Sequence, residues 1–411
     1  MIRFDHRAVP IVLAAAVIDV IGFGVVMPVL PGLVTQLGHM NLTEATRIAG
    51  WLLASFAVAQ FFAGPVLGNL GDAYGRRVVL IASMVAFSFD YALMAWAPTL
   101  GWLFVGRIIA GTAGAIFGPA GAVIADVTPP EKRAGAFGWL GAAFGIGFII
   151  GPALGGLVAD YGTRMPFLLA AVLAGTNAIA MILFLPETHK RENRRPFHLR
   201  DAHVIGSFKP LFAAGNAAPL LLAWFLWQVG GIVYPAVWSF WGAIRLGWGP
   251  KDIGLSLAWV GLGSVIVQAF VTQRFIKAIG ERKTAIVALT AGTLNLFALS
   301  FVTAGWQVYV LFLGGCLGQM GWPAMQGILS RMVDATRQGA LQGGIGSMNS
   351  VAQILGPLIA AQSLAFGAAH GFDGLAFVVA GALIGSAALI IAFRLQPLRY
   401  VDDASNVETA P

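Results

Sequence analysis

Gly68-Asn69-Leu70-Gly71-Asp72-Ala73-Tyr74-Gly75-Arg76-Arg77 is the stretch that decides the fold of this chain. It places a carboxylate, glycines and an arginine pair between two apolar runs, residues 48–67 and 78–96. Each run can cross a bilayer as a helix, because about 20 residues at ~1.5 Å per residue cover the roughly 30 Å hydrocarbon core. A tight turn needs glycine where backbones approach closely, and paired arginines suit the cytoplasmic headgroups. The stretch therefore predicts a hairpin of two membrane-spanning helices.

The composition of the whole chain is that of a membrane protein. Of the 411 residues, 58% are hydrophobic and 10% are charged, whereas soluble domains have roughly 25% charged residues. The first apolar run carries Asp19 and continues through Pro28 and Pro31, so we interpret it as a retained span and not as a cleavable signal peptide. We expect an all-α membrane protein with twelve transmembrane helices, near residues 8–33, 47–70, 78–97, 101–124, 134–159, 164–185, 217–243, 252–275, 284–303, 306–329, 339–367 and 373–395.

The positions of the basic residues orient these spans. With the N-terminus inside, 20 of the 25 Lys and Arg fall in cytoplasmic segments, one lies within a span, and the outside loops hold four, namely Arg47, Arg164, Arg245 and Lys251. This asymmetry predicts a multi-pass protein of the cell inner (plasma) membrane with both termini in the cytoplasm. The net charge of +7 then faces anionic lipid, and nucleic acid is not expected as a partner.

Two halves of the chain resemble each other around a polar, basic linker at residues 186–210. A pseudo-symmetric pair of six-helix bundles is therefore expected, with the binding site between them near the membrane midplane. The expected bounds are 1–185 for the first bundle, 186–216 for the cytoplasmic linker, 217–395 for the second bundle and 396–411 for a cytoplasmic tail. The repeated positions, 204 or 205 apart, are Gly75 and Gly280, Gly151-Pro152 and Gly356-Pro357, Gly101-Trp102 and Gly305-Trp306, and Pro119 and Pro323.

Three charged side chains fall inside predicted spans: Asp19, Asp90 and Arg107. A charge at mid-helix costs roughly 2.5–3.5 kcal/mol on the insertion scale, so each should face protein or a wet cavity. A buried carboxyl group is a candidate proton carrier, and the buried guanidinium needs an acidic partner. The alternative is structural: a permanent ion pair, a helix-packing hydrogen bond, or a tie between spans 4 and 1.

Neutral polar and aromatic residues of the spans are candidates for substrate binding. Gln60 and Gln228 can bind a substrate or hydrogen-bond neighbouring helices, and Asn295, Trp322 and Gln326 are further candidates. The tryptophans and tyrosines of the second half can line a cavity, pack, or lie in the membrane interface. They are Trp224, Trp227, Tyr234, Trp238, Trp241 and Trp322.

No catalytic or cofactor motif accompanies these spans. The sequence has no phosphate-binding loop, no His-Glu-x-x-His and no dinucleotide fingerprint, and its single cysteine, Cys316, cannot form an intramolecular disulfide. We therefore expect no enzyme activity, no cofactor and no metal site. The driving force for any transport should be an ion gradient.

A glycine-rich motif marks span 5. Gly147, Gly151 and Gly155 lie four residues apart, so they share a helix face on which another helix can pack closely. Pro152 interrupts the hydrogen-bond ladder there, and Gly156 follows. Generic close packing and a seal between the two halves are both compatible with the pattern.

These motifs resemble those of the major facilitator superfamily of secondary transporters. Residues 68–77 match its loop between spans 2 and 3, and Gly-x-x-x-Gly-Pro-x-x-Gly-Gly at 147–156 is similar to the span 5 motif of its proton-coupled drug antiporters. The chain looks most like the tetracycline/proton antiporters over nearly its whole length. The matching stretches are 18–22, 27–31, 89–91, 106–107, 138–142 and 338–343.

The resemblance implies roles for individual residues. Asp19 and Asp90 would be essential membrane acids supported by Gln60 and Arg107. The cytoplasmic gate would comprise Asp72, Gly75, Arg76 and Arg77. The chain departs from the family pattern in span 9, where residues 284–303 contain no acid, although those antiporters carry one.

The expected function is proton-coupled export of amphipathic, drug-like compounds by alternating access, by a monomer in the lipid bilayer that binds a small-molecule substrate and a proton. Two alternatives remain open. A proton symporter would import an organic solute down a proton gradient. A membrane receptor on the same scaffold would bind its ligand without flux.

Overall fold

The computed structural model describes residues 6–113, 117–189, 191–197, 218–331 and 338–394, and these residues are almost entirely helical, with no strand among them. The first half contains the helices Ala8–Val26 and Leu30–Gly38 (span 1), Leu42–Tyr74 (span 2), Arg76–Trp96 (span 3), Leu100–Ala113 and Phe117–Val127 (span 4), Pro130–Val158 (span 5) and Met165–Phe184 (span 6). The second half contains Ala218–Gly231 and Val233–Leu246 (span 7), Pro250–Ile266 (span 8), Thr272–Leu299 (the end of span 8, then span 9), Gly305–Gly315 and Gly321–Arg331 (span 10), Gln338–Ala369 (span 11) and Leu375–Arg394 (span 12).

The expectation of twelve spans is confirmed. Within the described ranges, eleven helical segments are long and apolar enough to cross a membrane, and one of them, Pro250–Leu299, has 50 residues. Gly280 interrupts that segment with φ 78° and ψ 164°, so it contains two spans. A π-helical turn at Val267–Val271 also lies within it.

Local sequence sets the ends of the helices. Asn41 caps span 2 by accepting a hydrogen bond from the Glu44 amide at 2.9 Å, as short polar side chains do at helix starts. Gly75 separates spans 2 and 3 with φ 114°, a conformation that L residues with a Cβ rarely adopt. Proline occupies the first turn of spans 5, 6 and 8, where no backbone donor is needed.

Helices pair within each half and across the two halves. Span 1 packs on spans 5 and 6, span 3 on span 6, and span 2 on span 4. In the second half, span 12 packs on spans 7 and 9. The two most extensive pairings between the halves are span 2 with span 11 and span 5 with span 8, and span 7 also contacts spans 1 and 2. The molecule has a linker face, where Ala8, Gly75, Gly280 and Arg331 lie, and an opposite face, where spans 1 and 2 join.

The halves touch near the opposite face and separate toward the linker face. A Cβ added at Gly50 in span 2 would lie 2.6 Å from the Ala361 Cβ in span 11, and one added at Gly156 in span 5 would lie 3.0 Å from the Lys251 Cα in span 8. Toward the linker face, spans 2, 5 and 11 have glycines at which an added Cβ would have no described atom within 4 Å. They are Gly64, Gly68, Gly138, Gly141, Gly343 and Gly346. The structure is therefore open at the linker face.

Candidate functional site

A buried ion pair joins spans 3 and 4 in the first half. Arg107 pairs with Asp90, and the two residues are 7% and 0% exposed. Gly106 permits the contact, because a Cβ at that position would lie only 2.5 Å from Asp90 Oδ1. A buried charge needs such a partner, since an unpaired one is strongly destabilising.

Tyr91 lies between this pair and the third charged residue of the spans. The Arg107 guanidinium stacks over the rings of Tyr91 and Phe56 at 5.8 and 5.6 Å, which is within range of a cation–π attraction. On its other side, Tyr91 faces span 1 at Gly22, where an added Cβ would lie 3.4 Å from the ring. Asp19 lies one helical turn before Gly22 on the same helix.

Asp19 and Asp90 differ in their surroundings. Asp19 is partly exposed and makes no hydrogen bond or ion pair within the described ranges, whereas Asp90 is fully buried and paired. The structure thus brings Asp90 and Arg107 together and leaves Asp19 beside them. Of the two acids considered as partners for Arg107, only Asp90 is the partner in this conformation.

A small enclosed cavity adjoins the pair at the boundary between the halves. It has a volume of about 30 Å³ and its lining includes Tyr91 and Arg107 from the first half and Pro235 and Ser239 from the second. That is enough space for one water molecule. Toward the opposite face, the Ser239 hydroxyl donates to the Met27 carbonyl at 2.8 Å and ties span 7 to span 1.

The corresponding place in the second half is neutral. Asn295 follows Asp90 by 205 positions and is 6% exposed. Its amide donates to the Tyr234 hydroxyl in span 7 at 2.9 Å, and its Oδ1 is buried without a partner among the described residues. A hydrogen bond between spans 9 and 7 therefore stands where the first half has an ion pair.

The predicted aromatic residues of the second half fall into two groups. Trp224, Trp238 and Trp241 are at most 1% exposed and form part of the core, whereas Trp322 is 42% exposed. Packing thus accounts for the first three. Of the other polar candidates, Gln228 contacts Asn349, Gln326 accepts from Gln342 at 3.3 Å, and Gln60 is partly buried on span 2.

The predicted gate residues form a charged cluster at the linker face. Arg76 pairs with Asp72 one turn away at 2.5 Å and approaches Asp126, at the end of span 4, at 3.7 Å. Glu187 accepts from the Arg76 amide at 3.0 Å and so caps span 3. Arg77 donates to the Ile182 carbonyl at the end of span 6 at 2.6 Å.

All these gate contacts lie within the first half and the start of the linker. The start of the linker, residues 187–189 and 191–197, reaches the cluster, because Arg194 lies 4.0 Å from Glu187, and the Arg195 amide donates to the Asp72 carbonyl at 3.4 Å. Residues 190 and 198–216, which complete the predicted linker, lie outside the described ranges. Among the described residues, the cluster makes no ion pair with the second half.

The span 5 motif makes close contacts on two sides. Cβ atoms at Gly147, Gly151 and Gly155 would all clash with span 1, at Val20, Ile21 and Val25 respectively. The Pro152 carbonyl and Gly156 contact span 8, at Gly254 and at Pro250 and Lys251, while the Pro152 ring faces Gly24 of span 1. The motif therefore packs helices within the first half and also contacts the second half near the opposite face.

Several residues of the site were not predicted from the sequence. Tyr91 was noted only as part of a matching stretch, while Asp126, Glu187 and Asn349 were not singled out. Asp126 and Glu187 could have been predicted, since both are acids at the predicted cytoplasmic ends of spans, close to the arginine pair in the expected topology. Asn349 had none, because span 11 also carries Gln342, Gln353 and Gln362, and the sequence does not distinguish Asn349 from them.

Comparison with known proteins agrees with this fold. The sequence profile of the Major Facilitator Superfamily matches residues 12–242 and 229–410. The chain is 40% identical to the class C tetracycline resistance protein of Escherichia coli, covering 92% of this chain and 95% of that protein, and 36% identical to the class H protein of Pasteurella multocida, covering 94% and 96%. The crystal structure of the nucleoside transporter NupG superposes with a TM-score of 0.76 at 12% identity, over 95% of this chain and 100% of that one.

The helical architecture is therefore that of a secondary transporter. The chain belongs to the Major Facilitator Superfamily, whose profile matches more than half of it. There it groups with the tetracycline resistance proteins, which confirms the resemblance inferred from the sequence motifs.

Proposed function

We propose that the protein exports amphipathic, tetracycline-like compounds in exchange for protons, with Asp19, Asp90 and Arg107 as the coupling residues. The observation that carries this assignment is the Asp90–Arg107 pair. It is buried at mid-span beside Asp19 and borders a cavity shared by the two halves. The substrate is moved without chemical change, so the protein is not an enzyme.

Protonation of a carboxyl group in this cluster changes its charge and weakens its attraction to Arg107. A proton or a ligand shifts the balance between two conformations only by the difference in its affinity for them. A tenfold difference in proton affinity corresponds to about 1.4 kcal/mol, which is enough to redistribute the two states. A cationic or metal-chelated substrate competes with the proton for the same carboxylates, and this competition produces exchange.

The same proposal gives the orientation in the membrane. The linker face is cytoplasmic and the protein lies in the inner membrane as a monomer, with six-helix bundles at 1–185 and 217–395. The basic residues near Gly75 and in the linker support this orientation. A reporter active only outside the cell, fused after residue 197, should be silent, and a reporter active only in the cytoplasm should work. An externally active fusion at that position would refute the topology.

The decisive experiment measures proton release from proteoliposomes when tetracycline is added. The wild-type protein should release protons, and the double variant Asp19→Asn, Asp90→Asn should not. Asp160→Asn is the matched control, because Asp160 is exposed at the end of span 5. Undiminished release from the double variant would rule out this coupling mechanism.

A further inference from the structure

An aromatic and amide surface in the second half is not accounted for by proton coupling. We call it the Trp322 surface, and it consists of Trp227, Gln228, Trp322 and Asn349. The Trp322 ring lies 4.9 Å from the ring of buried Trp224 and 6.1 Å from that of Trp227, measured between centroids. Although it packs on these two rings, Trp322 remains 42% exposed.

The amide groups of Asn349 and Gln228 beside the rings are held by hydrogen bonds, but some of their donors and acceptors have no partner among the described residues. Asn349 Oδ1 accepts from Trp224 Nε1 at 2.8 Å and from Gln228 Nε2 at 3.1 Å. These two bonds use both lone pairs of that oxygen. Within the described ranges, the Asn349 amide nitrogen, the Gln228 carbonyl oxygen and the Trp322 indole N–H make no hydrogen bond, so two donors and one acceptor remain available.

This surface faces the space between the halves and not the lipid. Gln326 follows Trp322 by one helical turn and hydrogen-bonds to Gln342 of span 11, so several amides share the face formed by spans 7, 10 and 11. Amide groups exposed to hydrocarbon would lack partners at a cost of several kcal/mol each. Gly343 and Gly346 of span 11 have no described atom near an added Cβ, in keeping with the opening at the linker face.

We infer that the Trp322 surface binds the planar, uncharged part of the exported compound, while the first half binds its ionisable part. The inference rests on the proposed function and specifies its substrate class. The ligand is a flat conjugated ring system that stacks on Trp322 and carries at its edge a carbonyl acceptor for Asn349 or the indole N–H and a hydroxyl or amide donor for Gln228. No charged side chain belongs to this surface, so recognition there depends on stacking and neutral hydrogen bonds.

The test uses tetracycline as the probe and compares binding with transport. Equilibrium dialysis of the purified full-length protein gives Kd, and proteoliposomes give KM, the maximal rate and the number of protons released per drug molecule. Trp322→Leu should raise Kd and KM about tenfold, as expected for the loss of about 1.4 kcal/mol of aromatic stacking. Trp322→Phe retains a stacking ring and should stay within about threefold of wild type.

Two further variants separate recognition from folding. Gln228→Leu removes the acceptor without touching a ring and should raise Kd about threefold to tenfold, with an unchanged proton-to-drug ratio. Trp306→Leu is the matched control, since Trp306 begins span 10, is 67% exposed and lies outside this surface. Its Kd should equal that of wild type.

The outcomes distinguish this inference from the proposed function. Wild-type Kd in Trp322→Leu, or equal losses in Trp322→Phe and Trp322→Leu, would overturn the stacking role. If the wild-type protein binds tetracycline without releasing protons and Trp322→Leu weakens that binding, the coupling proposal fails and the binding surface stands. If the wild-type protein does not bind tetracycline at all, both fail.

Discussion

Arg76 and Glu281 occupy equivalent positions in the two halves, 205 residues apart, and carry opposite charges. Arg76 approaches Asp126 at the end of span 4, whereas Glu281 pairs with Arg331 at the end of span 10. Arg331 follows Asp126 by the same 205 positions. Each half therefore has an ion pair between the turn after its second span and the end of its fourth span, but the positive and negative partners are exchanged. Because Arg76 and Glu281 carry opposite charges, as do Asp126 and Arg331, equivalent positions do not repel each other when the halves approach at the linker face.

The role of the Glu281–Arg331 pair can be tested by swapping the charges of its two residues. Glu281→Arg alone places two arginines together and should lower tetracycline flux about threefold. A partly exposed pair contributes about 0.2–1 kcal/mol, which limits the effect to roughly fivefold. Adding Arg331→Glu should restore most of the flux, measured as initial rates in proteoliposomes at equal protein content. No recovery in the double variant would show that the pair has no role in transport.

Asp72 should act as part of the gate. Asp72→Asn removes the charge that holds Arg76 at 2.5 Å, so we expect slower flux with normal folding and membrane insertion. Asp72→Glu, which keeps the charge, is the control and should retain more flux than the amide. Normal flux in Asp72→Asn would contradict a gating role for this loop.

Gly106 should be required for the Asp90–Arg107 pair. In Gly106→Ala the new methyl group would meet Asp90 Oδ1, so the carboxylate must shift and proton release should fall at least tenfold, by about 1.4 kcal/mol or more. Gly101→Ala on the same helix is the control, since its Cβ would lie 3.8 Å from the nearest atom. Equal activity of the two alanine variants would show that coupling tolerates displacement of Asp90.

Asn295 should influence substrate preference without affecting coupling. Asn295→Ser shortens the side chain and removes the amide donor to Tyr234, while leaving every charge of the first half in place. The ratio of KM values for two tetracycline derivatives should change, and the number of protons released per drug molecule should not. A changed proton-to-drug ratio would place part of the coupling in the second half.

The sequence was sufficient for the fold because hydrophobic length and loop charge determine where helices cross a membrane. Residues 68–77 identified the hairpin of spans 2 and 3, and the predicted bounds of span 3 agree with Arg76–Trp96 to within two residues. Span 2 is longer than predicted, Leu42–Tyr74 and not 47–70. Its polar ends remain helical beyond the hydrocarbon core, and hydropathy does not register them.

The site was predicted only in part, because pairing depends on which helix faces meet. The sequence showed three charges within spans, but it could not show that Arg107 reaches Asp90 and that Asp19 has no partner among the described residues. The capping of span 3 by Glu187 could not be predicted for the same reason, since 111 positions separate Glu187 from Arg76. Charge and burial can be inferred locally, whereas contacts between distant spans require the packed structure.

Among the contacts that close the opposite face, those between the ends of spans 5 and 8 are made by backbone atoms. Gly156 meets the backbone of Pro250 and Lys251, and Gly254 meets that of Pro152. Glycine has no side-chain rotamers to immobilise, so making or breaking these contacts changes side-chain entropy very little. Spans 5 and 8 can therefore separate at this end with little reorganisation of side chains.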